Sequence, residues 1–192
     1  MKRLGIVLIA IVTAFLFSSC GYNQMVELDE QVGSQWSQVE NVYQRRADLI
    51  PNLVNTVKGY AAHEKETLEG VIEARSKATA VQVNPEKLTP ETLKQFSQAQ
   101  DGLSSALSRL MVVVERYPDL KANQNFLDLQ AQLEGTENRI TVERKKFNET
   151  TQKYNAYIRK FPRVIYASWF GFDKKSYFEA QQGAEQAPVV EF

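Results

Sequence analysis

Arg45-Arg46-Ala47-Asp48-Leu49-Ile50-Pro51-Asn52-Leu53-Val54-Asn55-Thr56-Val57-Lys58-Gly59-Tyr60 is the stretch whose reading decides the fold. Apolar residues recur through it at helical spacing: Ile50, Leu53, Val54 and Val57. Such a stripe marks a helix that buries one face. A proline, paired arginines and an aspartate interrupt it, and a plain packing helix requires none of these.

The stripe extends in both directions. Met25, Val32 and Val39 stand seven residues apart, as do Trp36, Tyr43, Ile50 and Val57, and Val54, Ala61 and Leu68. The spacing predicts one helix from Gln24 to about Thr79, and Pro51 then poses a choice. Either the chain reverses there to give a compact four-helix bundle, or the proline only kinks a continuous helix. No glycine turn accompanies Pro51, which favours the kink.

Asn84-Pro85 signals a loop, and Thr89-Pro90-Glu91 reads as cap, first-turn proline and an acid at the positive end of a second helix. That helix runs to about Arg116, with Leu93, Phe96, Leu103, Leu107, Leu110 and Val114 inward, and Tyr117-Pro118 stops it. Phe126, Leu133, Ile140, Phe147, Tyr154 and Phe161 form one heptad column of a third helix, which Pro162 ends. Val164 to Phe172 is too aromatic to be left in water and should fold over the bundle end, with a short helix near residues 174–180. The fold class is therefore all-α: an elongated antiparallel bundle of three long helices and a short fourth. On this reckoning helix one outruns its partners. Residues from Met25 to Tyr43 then present an amphipathic stripe that seeks a second copy or another protein.

The 192 residues allow one domain with appendages. Acidic and basic residues balance at 23 each, so no bulk charge draws the chain to nucleic acid. Met1-Lys2-Arg3, the apolar run Leu4 to Phe17 and Ser18-Ser19-Cys20 describe an export signal. The run would rise about 21 Å as a helix, short of a hydrocarbon core. Phe17-Ser18-Ser19-Cys20 resembles a bacterial lipobox, which implies a lipid on Cys20, the one cysteine, and removal of residues 1–19. A short uncleaved anchor is the alternative. The expected organisation is a signal over 1–19, a linker over 20–24, the bundle over 25–180 and a flexible tail over 181–192.

His63-Glu64 lacks the second histidine of a zinc-protease helix, and no phosphate loop or nucleophile triad is recognisable. No catalytic residue, metal site or cofactor is assigned. Arg46 stands in the column Met25, Val32, Val39, Arg46, Leu53, where an apolar residue is expected. A cation there needs its stem along the surface or an acid beside it, and Asp48 and Glu143 are the candidates.

Arg45-Arg46-x-Asp48-Leu49-Ile50-Pro51-Asn52-Leu53-Val54 with Val57-Lys58-Gly59-Tyr60-x-x-His63-Glu64 resembles the signature of the LemA family. The likeness continues through Ala74-Arg75, Glu115-Arg116-Tyr117-Pro118, Leu120-Lys121-Ala122-Asn123, Leu133 to Ile140, Tyr154-Asn155, Phe161-Pro162 and Gly171-Phe172. Val39-Glu40-Asn41-Val42-Tyr43 departs from it, since the family more often carries an aspartate and a basic residue there. The resemblance implies a helical bundle held to a bacterial envelope membrane and facing away from the cytoplasm, on the periplasmic side. It implies no biochemical activity.

The function expected is a non-enzymatic, membrane-anchored envelope scaffold or adaptor. Its candidate interaction surface is Arg45, Arg46, Asp48, Pro51, Asn52, Lys58, His63 and Glu64, and its partners are the membrane, through Cys20, and envelope proteins. The alternatives are an architectural or membrane-remodelling homo-oligomer, and a metal-dependent hydrolase using Asp48, His63 and Glu64. Those three span too much of one helix to meet without help from others.

Overall fold

A computed structural model describes residues 2–179, with side chains from Gly21 onward. The lipid attachment expected at Cys20 and the tail expected over 181–192 lie outside the described residues. Among the described residues six helices follow one another: α1 (Lys2–Lys58), α2 (Lys65–Ala80), α3 (Pro90–Val114), α4 (Pro118–Lys121), α5 (Gln124–Ile158) and α6 (Arg163–Ala167). There is no strand among these residues, and no helix is long and apolar enough to cross a membrane. The all-α antiparallel bundle is as expected.

The helix boundaries are not all as expected. α1 passes through Pro51 without reversing, yet it ends at Lys58. Gly59 to Glu64 form a turn, tied by Ala61 N–H to Val57 O at 2.8 Å and Glu64 N–H to Ala61 O at 3.1 Å. Gly59 costs about 1 kcal/mol in a helix interior relative to alanine, so the helix ends there cheaply. α2 then returns along α1, which is why the predicted single helix to Thr79 is really a hairpin. Its seven-residue phase is unbroken because Val54, Ala61 and Leu68 all face one core.

α1 and α3 run one way, and α2 and α5 run back between them. At the far end α1, α2, α3 and α5 enclose a first core containing Ile50, Leu53, Val57, Val71, Leu103, Leu110, Phe126 and Leu133. α2 has only 16 residues, against 35 in α5, so it leaves the base of the bundle without a fourth wall. That wall is built instead by the loop 81–89 and an extended strap, residues 172–179. A second core forms there from Met25, Val32, Trp36, Val39, Tyr43, Phe96, Phe147, Tyr154 and Phe178. The stripe expected to seek a partner is thus covered within the chain: Met25, Val32, Trp36 and Val39 are fully buried. The length mismatch that exposed it disappears once the last third or so of the predicted helix folds back.

Two local features match the sequence pattern. Thr89 caps α3 in a reciprocal arrangement with Thr92, with Pro90 in the first turn. The column Phe126, Leu133, Ile140, Phe147 and Tyr154 is buried along α5. Phe161 is not part of it; α5 ends at Ile158 and Phe161 is 80% exposed.

The return segment reverses at Gly171. Its N–H reaches Ser168 O at 3.2 Å and the Phe172 N–H reaches Ala167 O at 3.0 Å, a Schellman closure that needs Gly171 at φ +78°. In place of the short helix expected near residues 174–180, the chain is non-helical through Glu179. The reason lies on α5. Asn155 donates from Nδ2 to Lys175 O at 2.8 Å and accepts the Lys175 N–H at 2.9 Å. Asn148 does the same with Phe178, at 2.9 and 2.8 Å. Seven helical residues rise about 10.5 Å, and three extended residues span about 10 Å, so the two repeats match. The backbone groups that a helix would have paired internally are satisfied by asparagine side chains instead.

Candidate functional site

The signature residues divide into an interior set and an exposed set. Arg46 is 3% exposed and lies between α1, α3 and α5. Its Nη1 donates to Ser104 Oγ at 3.0 Å and Glu137 Oε2 at 2.9 Å; its Nη2 donates to Gln100 O at 3.2 Å and Gln100 Oε1 at 2.7 Å. The guanidinium also lies 5.1 Å from the centre of the Tyr43 ring. Gln100 passes the network to α2 by donating to Ala78 O at 3.2 Å. Four helices are therefore tied through one cation at a heptad position.

Neither acid expected for Arg46 meets it. Asp48 is exposed and accepts from Gln44 at 2.7 Å, while Glu143 accepts from Gln35 at 2.7 Å and Lys146 at 2.8 Å. The Lys146 hydrogen bond, aided by that of Gln35, holds the Glu143 carboxyl below its ordinary range.

Pro51 has a partner that sequence reading did not find. Lacking an N–H, it cannot bond the carbonyl four residues back, that of Ala47. Arg75 Nε on α2 fills the vacancy, donating to Ala47 O at 2.7 Å. This bond allows α1 to continue through the proline while fixing α2 at the same level. Arg75→Ala should cost about 1–2 kcal/mol. In a Pro51→Ala background the restored N–H supplies the missing donor, so the same change should cost about 1 kcal/mol less. A urea double-mutant cycle measures the difference, and purely additive costs would disprove the coupling.

At the far turn Glu64 accepts from Arg116 Nη2 and from the Tyr117 hydroxyl, each at 3.0 Å. That hydrogen bond raises the pKa of Tyr117, since the phenolate would face a carboxylate. Asn123 caps α5 by accepting the Phe126 N–H at 3.1 Å and donates to the Tyr60 hydroxyl at 2.9 Å. The motifs around residues 60–64, 116–117 and 123 thus meet in one polar knot that closes the far end.

Arg45, Asp48, Pro51, Asn52, Lys58 and His63 remain exposed. The five on α1 fall at helical spacing on its water-facing side, and His63 follows in the turn. Asp48 lies on α1, away from the turn that carries His63 and Glu64, so the three are not brought together. Among the described residues no three or more His, Cys, Asp or Glu side chains are grouped to hold a metal ion. A groove of about 300 Å³ beside this face is lined by Glu40, Tyr43, Gln44, Gln82, Phe96 and Gln100.

The strap carries the residues that sequence reading missed. Phe178 stacks on Trp36 at 5.8 Å and meets Phe147 edge-on at 5.4 Å. Lys175, 7% exposed, pairs with Asp29 at 2.5 Å and donates to Pro85 O at 3.3 Å. Tyr154 donates to Asp173 O at 3.0 Å. Two asparagines, each directly following a member of the heptad column, were the available signal.

Burial first, then the nearby Asp29 and Asp173, push the Tyr154 pKa well above its ordinary 10.0. Burial raises Tyr43 likewise, partly offset by Arg144 and Arg46. The folded state therefore holds these phenol protons more tightly than the unfolded one, and their contribution is complete below the unfolded pKa and lost as pH rises above about 10. Tyr154→Phe removes one such proton. Its melting temperature should fall less steeply than that of the wild type between pH 9.5 and 11, a range set by the tyrosine pKa of about 10. Parallel melting curves against pH would contradict this.

These features define a class: a closed helical bundle whose polar signature is spent mainly on holding helices in register, with one polar face left over. The chain belongs to the LemA family, whose profile matches residues 35–192. It is similar to Magnetosome protein MamQ of Magnetospirillum gryphiswaldense, with 30% identity over 95% of this chain and 72% of that protein. Magnetosome protein MamQ 2 of Paramagnetospirillum magneticum is 28% identical over 88% of this chain and 68% of its own length. Protein LemA of Metamycoplasma hominis is 27% identical over 77% and 60%.

Proposed function

We propose that this protein is a non-enzymatic, lipid-anchored adaptor of the bacterial envelope, with its bundle on the periplasmic side of a membrane. Attachment is through Cys20, and envelope proteins bind along Arg45, Asp48, Asn52 and Lys58. The observation that carries the reading is the division within the signature. Arg46, Arg75, Glu64 and Asn123 are engaged in internal bonds, whereas Arg45 and Lys58 face water and form no ion pair among the described residues. Exposed charges with no structural partner are available to a second protein, where they would steer encounter and set register. Arg46 belongs to the scaffold beneath this face. The oligomer reading loses its motive, since the stripe it relied on is buried within the chain.

The test is capture of partners from membranes by the full chain and by a triple variant, Arg45→Ala, Asp48→Ala and Lys58→Ala. All three positions are exposed, so its thermal stability should match the wild type. A set of envelope proteins should be retained by the wild type and lost by the variant. Identical partner sets would sink the assignment of this face.

A further inference from the structure

We propose that the base of the bundle is itself a lipid-docking surface, formed by Phe161, Val164, Ile165, Trp169 and Phe170. This inference rests on the reading that the N-terminus holds the chain to a membrane, and it specifies how the bundle sits there. The segment was expected to bury its aromatics, and it does so only in part. Ala167 is buried and Tyr166 half-buried, while Phe161 is 80%, Trp169 81%, Phe170 57%, Ile165 52% and Val164 49% exposed. Val164 and Ile165 lie on α6, Trp169 and Phe170 in the turn that follows it, and Phe161 just before it, so all five belong to one return segment. The three rings alone leave roughly 450 Å² in contact with water, within the roughly 300–600 Å² of the largest patch on a typical soluble monomer, which is often functional.

The occupant follows from where this patch sits. α1 enters the bundle from the apolar run Leu4 to Phe17, and its first described side chains lie against the patch. Tyr22 meets Phe170 at 5.2 Å and Phe172 at 5.6 Å, both edge-on. A Cβ placed on Gly21 would lie 2.5 Å from the Tyr166 hydroxyl oxygen, so the helix and the return segment are in close contact. The aromatic patch is therefore at the end of the molecule nearest the anchor. Tryptophan and tyrosine favour the headgroup level of a bilayer, where one part of the ring is apolar and the rest wet. Arg159 and Lys160, exposed and immediately before Phe161, add cations suited to anionic headgroups. A lipid anchor alone would leave the bundle free to swing; a second, aromatic contact would fix its axis relative to the surface.

The chain has two tryptophans, and Trp36 is fully buried, so fluorescence can report Trp169 selectively. The full lipidated chain, as wild type and as Trp36→Phe, is reconstituted into phosphatidylethanolamine–phosphatidylglycerol vesicles. Acyl chains are brominated near the carbonyl end in one preparation and unbrominated in the other. Brominated lipid should quench Trp169 several-fold, aqueous acrylamide should quench it weakly, and Trp169→Phe should abolish the lipid effect in the otherwise wild-type chain. Vesicle-bound protein whose Trp169 is open to acrylamide and untouched by bromine overturns the docking surface but leaves the anchor standing. A Trp169 shielded from both quenchers points to a protein covering the patch, and also overturns it. Protein that fails to float with vesicles overturns the anchor and this inference together.

Discussion

Arg46→Ala lowers the unfolding free energy by about 3 kcal/mol, the loss expected when a buried cation is deleted from a hydrogen-bonded network. The magnitude follows from what remains. Gln100 is 6% exposed, and its side-chain oxygen loses its donor, while its carbonyl keeps the Ser104 hydroxyl at 3.2 Å. The cavity takes the stem as well as the charge, and a stem at a heptad position packs like a methionine. Glu137 is not stranded in the same way, because its side chain is 55% exposed and can turn to water. Two contrasts follow. Arg46→Met refills the column Val39, 46, Leu53 with an apolar residue but still strands the Gln100 side-chain oxygen, so it should recover only the packing share of the loss, about 1 kcal/mol. Glu137→Ala should stay within about 1 kcal/mol, as exposed ion pairs do. Urea midpoints at a constant slope measure all three. If Arg46→Met is as damaging as Arg46→Ala, the charge and its hydrogen bonds, rather than the packing of the stem, hold the helices in register.

The same residue shows what a single sequence can and cannot carry. Arg46 was legible as an intruder because its column is otherwise apolar. Its partner was not, because Glu137 and Glu143 both lie on α5, and periodicity gives neither the stagger nor the rotation of one helix against another. Heptads identified the buried faces of α1, α3 and α5 because burial depends on local phase alone. That property also concealed the hairpin at Gly59. The two arms continue one phase across Val54, Ala61 and Leu68, and all three are buried in one core, so the pattern cannot tell a long helix from a folded one. The one hint was Gly59 beside the exposed Tyr60. The signature itself was readable as residues and not as roles. Pro51 and Arg75 lie on different helices and are joined by the carbonyl of Ala47, a backbone atom that leaves no trace in the sequence. The extended strap left only the two asparagines on α5 as a signal, because those side chains bind its main chain whatever its own side chains are.

Releasing that strap should be the second large effect. Asn148→Ala combined with Asn155→Ala removes four hydrogen bonds to the backbone of Lys175 and Phe178. Asn155 is 2% exposed and Lys175 7%, so at that position the freed N–H and C=O have little access to water. At about 1–3 kcal/mol for each stranded buried group, the strap should lose about 4 kcal/mol. Amide exchange at Lys175 and Phe178 should then accelerate by about three orders of magnitude, since each 1.4 kcal/mol is tenfold. The effect should not remain local. Phe178 closes the cage of Trp36, Phe96 and Phe147 where α2 is too short to do so, and opening it brings water to Trp36. Trp36 emission, followed in a Trp169→Phe background, should shift to the red. Asn155→Asp separates geometry from chemistry. Its carboxylate still accepts the Lys175 N–H but meets the Lys175 carbonyl oxygen without a proton to offer, so it should release the strap about as fully as alanine. Protection that survives the double alanine variant would mean that the Phe178 ring and the Lys175–Asp29 pair, rather than the asparagines, hold the base closed.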